Sequence, residues 1–127
     1  MTTEPNSLSI LIVENDEPTQ NLLRTVLLRC GYASDIASNG REAIDRLGEK
    51  SYAAVVLDIM MPGVGGHEVV AFLRTSGNRV PVIICSAAGT AALTGFDETV
   101  VKAIVRKPFD IDELAAAVTS VVGGGAE

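Results

Sequence analysis

Tyr52-Ala-Ala-Val-Val-Leu-Asp58 is an apolar run that ends in a carboxylate, and the loop Ile59-Met-Met-Pro-Gly-Val-Gly-Gly66 follows it. A short β-branched run of this kind reads as a strand buried on both faces, and such strands belong to parallel sheets. Open α/β sheets place their chemistry at the carboxyl ends of their strands, which is where Asp58 stands.

Working outward, apolar runs alternate with amphipathic segments, as in a parallel sheet covered by helices on both faces. Leu8 to Val13 reads as the first strand, followed by a helix from Glu17 to Arg29 that begins after Asp16 and closes at Gly31. Tyr32 to Ile36 forms a shorter second strand, and Asn39 to Leu47 a helix ended by Gly48. Tyr52 to Leu57 is the third strand, Gly66 to Thr75 a helix and Val80 to Cys85 the fourth strand. Gly89 and Gly95 leave space for only a short helix between Ala87 and Val101, ahead of a fifth strand from Lys102 to Arg106. Asp110 begins a last helix, Ile111 to Val122, with Asp112 and Glu113 set against the positive end of its dipole. The expected fold is α/β, a doubly wound five-stranded parallel sheet of five βα units over residues 8–122. Residues 1–7 are expected to be a tail and 123–127 a flexible tail or linker.

Composition narrows the function classes. With 127 residues, 47% of them hydrophobic, and no run long enough to cross a bilayer, the chain reads as one soluble domain. Met1-Thr-Thr-Glu-Pro-Asn-Ser7 lacks the basic and apolar parts of a secretory signal, so a cytoplasmic location is expected. Cys30 and Cys85 fall in a helical and a strand pattern, and read as reduced packing residues. A net charge of −6 with ten scattered Lys and Arg argues against direct nucleic-acid binding, which needs a basic face; a protein partner is expected, and no membrane.

In this topology the strand ends converge, so Glu14-Asn15-Asp16, Asp58, Ser86 and Lys107-Pro108 should be neighbours. Each has an ordinary explanation when taken singly. Asp58 could be a turn residue, Glu14 and Asp16 could cap a helix, Ser86 could bond the backbone and Lys107 could be solvated. Those readings do not explain why carboxylates, a hydroxyl and an ammonium all lie at strand ends. His67, with no ligand set near it in sequence, reads as an exposed helix residue.

From Ser9 to Val122 the chain resembles the receiver domains of two-component response regulators. The resemblance rests on Ile10-Leu-Ile-Val-Glu-Asn-Asp16, Val56-Leu-Asp-Ile-Met-Met-Pro-Gly63, Ile83-Ile-Cys-Ser-Ala87 and Arg106-Lys-Pro-Phe109. It implies that Asp58 accepts a phosphoryl group from a phosphohistidine of a sensor histidine kinase or histidine phosphotransferase. A switch of contacts with a downstream protein or attached effector domain would follow. It also implies a cis Lys107–Pro108 bond that aims the lysine into the pocket. Chemistry supports the assignment, because a carboxylate attacks phosphorus only once the charge on the phosphoryl oxygens is neutralised. Glu14, Asp58 and the Met60 backbone carbonyl offer oxygen ligands for Mg²⁺, Lys107 supplies the remaining positive charge, and Ser86 can donate to a phosphoryl oxygen. No turnover enzyme is expected, and the start at Met1 mildly favours a stand-alone regulator.

Three departures qualify the resemblance. Asn15 stands where receivers usually carry a metal-binding aspartate; its amide oxygen can still bind, but the lost charge should weaken Mg²⁺ by roughly tens to hundreds of times. Asp16 could substitute if the loop shifted. Ile104 replaces an aromatic residue that turns inward in many members, and the glycine-containing stretch after Ala87 shortens the usual output region. These features motivate an alternative, a degenerate receiver that binds partners without phosphorylation. A flavodoxin-like cofactor binder fits badly because Glu14 and Asp16 would repel a phosphate. An aspartyl-phosphate hydrolase fits badly because Met60 stands where its second carboxylate would be.

Overall fold

The computed structural model describes residues 9–61, 63, 65–87 and 95–124. Its elements are β1 (Ser9–Val13), α1 (Glu17–Arg29), β2 (Ala33–Ala37), α2 (Gly40–Glu49), β3 (Ala54–Leu57), α3 (Gly66–Ser76), β4 (Val82–Ser86), β5 (Val101–Arg106) and α4 (Ile111–Gly124). The five strands form one parallel sheet in the order β2-β1-β3-β4-β5. The chain leaves β1 toward β2 on one side and returns to β3 on the other, so the topological switch point lies between β1 and β3.

Every residue of β1, β3 and β4 is buried, as their unbroken apolar runs require. Alternate residues face opposite sides and build two cores. Leu11, Val13, Val55, Leu57 and Ile84 pack with Ala43 and Leu47 of α2 and Val69 and Leu73 of α3. Ile10, Ile12, Val56, Ile83 and Cys85 pack with Leu23 and Leu27 of α1 and Leu114 and Val118 of α4. Cys30 and Cys85 carry free thiols, and burial pushes the Cys85 pKa up to about 12, so it packs as a neutral thiol. Among the described residues, no helix is long and apolar enough to cross a membrane.

Local chemistry sets the boundaries. Asp16 caps α1, and Gly31 closes it at φ 93°, a conformation that suits glycine. Asn39 proves to be the cap of α2 rather than its first residue. Gly48 does not end α2; the helix continues through it to Glu49 and stops where Lys50 turns extended toward β3. The cost of one helical glycine, about 1 kcal/mol, is outweighed by the anchorage of neighbouring Leu47 in the core. β3 begins at Ala54, because Tyr52 turns aside to bond Asp35, and β4 begins only after Pro81, which has no N–H for a ladder. The short helix expected after Ala87 falls partly on residues 88–94, outside the described residues; residues 95–100 form a bend and a turn closed by Val100 N–H donating to Asp97 O. The described residues thus hold four helices. The expected tails fall almost wholly on residues 1–8 and 125–127, also outside the description. α3 begins hard against the residue after Asp58: a Cβ on Gly66 would lie 2.5 Å from Ile59 Cα, so only glycine fits there.

Candidate functional site

The carboxyl ends of β1, β3, β4 and β5 bring four ionic or polar side chains together. Asp58 extends the ladder of β3, its amide donating to Val13 O at 3.0 Å, and the residue is buried. Asp58 Oδ1 accepts from Ser86 Oγ at 2.8 Å and from Met60 N–H at 2.9 Å. Asp58 Oδ2 accepts from Lys107 Nζ at 3.1 Å, and the same ammonium donates to Glu14 Oε1 at 2.6 Å. Lys107 itself is anchored by its amide, which donates to Ser86 O at 3.0 Å, and its bond to Pro108 is cis.

Lys107 therefore bridges two buried carboxylates. Burial pushes its pKa down, but the hydrogen bonds and charges of Glu14 and Asp58 outweigh that and hold it above the usual lysine value. One ammonium against two carboxylates leaves the pocket with a net negative charge, which favours a further cation. The pocket's side-chain acceptors, the Glu14 and Asp58 carboxylates, are hard oxygens of the kind that Mg²⁺ takes. Among the described residues no three His, Cys, Asp or Glu side chains gather as a metal cluster.

The remaining predicted residues fall as follows. Asn15 is exposed, and its side chain has no partner among the described residues. Asp16 is committed to α1, accepting from Thr19 N–H at 3.0 Å and from Thr19 Oγ1, and those bonds hold its carboxyl below the usual range. It is not placed to replace Asn15. His67 is exposed on α3 and stacks on Phe96 with ring centroids 4.9 Å apart. Sequence reasoning missed Gln20, whose Nε2 donates to Glu14 O at 2.6 Å; a glutamine six residues on, in an amphipathic helix, carries no signal of that bond.

The model of the response regulator receiver domain family matches residues 10–119. The chain belongs to that family. Its relatives include the uncharacterized transcriptional regulatory protein YkoG of Bacillus subtilis, 37% identical over 115 residues that cover 89% of this chain and 50% of YkoG. Another is the transcriptional regulatory protein TcrA of Mycobacterium tuberculosis, 38% identical over 109 residues that cover 84% of this chain and 43% of TcrA. The receiver domain thus spans about half the length of the curated relatives it matches. Among solved structures it resembles the receiver domain of Francisella response regulator 1452, with a TM-score of 0.84 and 27% identity over 94% of this chain and 99% of that one. It also resembles the response regulator TrrA of Thermotoga maritima in complex with Mg(2+)-BeF, with a TM-score of 0.80 and 31% identity over 89% and 97% of the two chains.

Proposed function

We propose that this receiver accepts a phosphoryl group on the Asp58 carboxylate from the phosphohistidine of a sensor histidine kinase or histidine phosphotransferase in the cytoplasm. A carboxylate oxygen forms the new bond to phosphorus as the phosphorus–nitrogen bond breaks, and the departing imidazole keeps the electron pair and takes up a proton. The observation that carries the reading is the shared lysine: Lys107 contacts Asp58 and Glu14 together while Ser86 donates to Asp58, so a cation and a hydroxyl already stand at the acceptor. Both can transfer their hydrogen bonds to the incoming phosphoryl oxygens. Glu14, Asp58, the Met60 carbonyl and the Asn15 amide would hold Mg²⁺, which when bound neutralises charge on the transferred group. The Mg²⁺ in the TrrA complex supports this assignment.

The transfer is a single event that switches contacts with a downstream protein or an attached effector, and not a turnover reaction. Relatives named as transcriptional regulators favour an effector as the target, while the net charge of −6 keeps this domain itself off nucleic acid. The test is incubation with acetyl phosphate, with and without Mg²⁺, followed by intact mass. Wild type should gain one Mg²⁺-dependent phosphoryl adduct, and Asp58→Asn none. An adduct that survives in Asp58→Asn would remove Asp58 as acceptor. The competing reading, motivated by Asn15 and the exposed Ile104, is a receiver that binds partners without phosphorylation, and it predicts no adduct at any Mg²⁺ concentration.

A further inference from the structure

Glu14 is the point at which the chain leaves the sheet. Its amide still follows the ladder, donating to Ala37 O at 3.0 Å, but its carbonyl accepts from a side chain, Gln20 Nε2, at 2.6 Å. That carbonyl belongs to the peptide joining Glu14 to Asn15. On the other side of Asn15, the amide of Asp16 donates to Glu14 Oε2 at 3.1 Å. Both peptide planes flanking Asn15 are therefore fixed, although the Asn15 side chain has no partner among the described residues. Gln20 is itself well held: its backbone N–H donates to Asp16 O at 2.9 Å in the first turn of α1, and its Nε2 lies 3.4 Å from Ser38 Oγ. Ser38 in turn donates its N–H to Glu42 Oε1 at 2.8 Å, which ties the group to the start of α2.

We infer that Gln20 is a positioning residue for a divalent cation: by fixing the Glu14–Asn15 peptide it sets where the Asn15 amide oxygen is presented. This rests on the reading of Asn15 as a metal ligand given above. An aspartate at that place would draw the cation by charge over several ångströms and tolerate some misplacement. An amide binds through its dipole alone, so its contribution depends on being pointed correctly beforehand. Groups that orient metal ligands commonly change affinity by about ten- to a hundredfold when removed.

The experiment is a double-mutant cycle with Mn²⁺ as probe, its affinity read by electron paramagnetic resonance on wild type, Gln20→Met, Asn15→Ala and the double variant. Methionine keeps the length and helix propensity of glutamine and removes the side-chain amide, and with it the bond to Glu14 O. Gln20→Met should weaken Mn²⁺ about tenfold, while the variant keeps the wild-type circular dichroism spectrum in EDTA. In the Asn15→Ala background the same change should have no further effect, because Gln20 acts through Asn15. The half-saturating Mg²⁺ for adduct formation should rise in parallel. Wild-type Mn²⁺ affinity in Gln20→Met, or an equal loss with and without Asn15, would overturn the positioning role alone. A wild type that binds no Mn²⁺ would overturn it together with the metal assignment on which it rests.

Discussion

Lys107 is the residue on which the charge balance of the pocket depends. Its side chain is 19% exposed, and it compensates Glu14 and Asp58, whose side chains are 2% and 8% exposed. Removing one partner of a buried ion pair leaves uncompensated charge, and Lys107→Met leaves two such carboxylates facing each other, at an expected cost of about 3 kcal/mol. Methionine fills similar volume, so the loss is electrostatic rather than a cavity. A divalent cation can supply the missing charge, so Mg²⁺ should recover much of the stability in this variant. Urea unfolding of wild type and Lys107→Met, each in EDTA and in Mg²⁺, measures both effects. Equal midpoints in EDTA would mean that solvent, and not the lysine, screens the two carboxylates.

At the scale of elements, Asp35 on β2 ties that edge strand to the segment entering β3. Its Oδ2 accepts from Tyr52 Oη at 2.7 Å and Lys50 Nζ at 3.0 Å, and the tyrosine's hydrogen bond is the first cause of its lowered pKa. A carboxylate with a depressed folded pKa contributes stability above its unfolded value, and that contribution is lost as pH falls through the folded value. Tyr52→Phe should therefore cost about 1–2 kcal/mol at pH 7, with the difference from wild type shrinking below about pH 4 as Asp35 protonates. Burial raises the Tyr52 pKa as well, so the advantage of wild type over Tyr52→Phe should also shrink above about pH 10, where the unfolded tyrosine ionises first. Denaturant midpoints of both proteins across pH check each limb. This tie also shows where sequence reading stopped. β1 and α1 are legible because their periodicity and caps are local, whereas Tyr52 reads as strand although a partner on β2 draws it aside. Gly48 looked like a helix end because the anchorage of Leu47 is a tertiary effect. Glu14, Asp58, Ser86 and Lys107 could be gathered from sequence because parallel topology dictates that strand ends converge. Gln20 could not, since it works through a backbone carbonyl that no residue pattern reveals.

At the scale of the whole molecule, cation binding and folding are linked, because the pocket exists only when four strands are in register. A ligand that binds the folded state alone adds RT ln(1 + [L]/Kd), about 1.4 kcal/mol at ten times Kd. For a domain of 127 residues that corresponds to a rise of about 5 °C in Tm. Wild type should show this rise, but only at high Mg²⁺, because Asn15 contributes a dipole where a charge would bind more tightly. Asn15→Asp should move the response to Mg²⁺ concentrations roughly tens of times lower. The same variant should melt below wild type in EDTA, since a third carboxylate joins a pocket that already holds a net negative charge. The two curves must then cross as Mg²⁺ is raised, and the crossing is the signature of a site that exchanges stability when empty for affinity when filled. Thermal melts of both proteins over a Mg²⁺ series test it. A wild-type Tm indifferent to Mg²⁺ beside a responsive Asn15→Asp would show that asparagine abolishes metal binding rather than weakening it, and would move the function to the phosphorylation-independent reading.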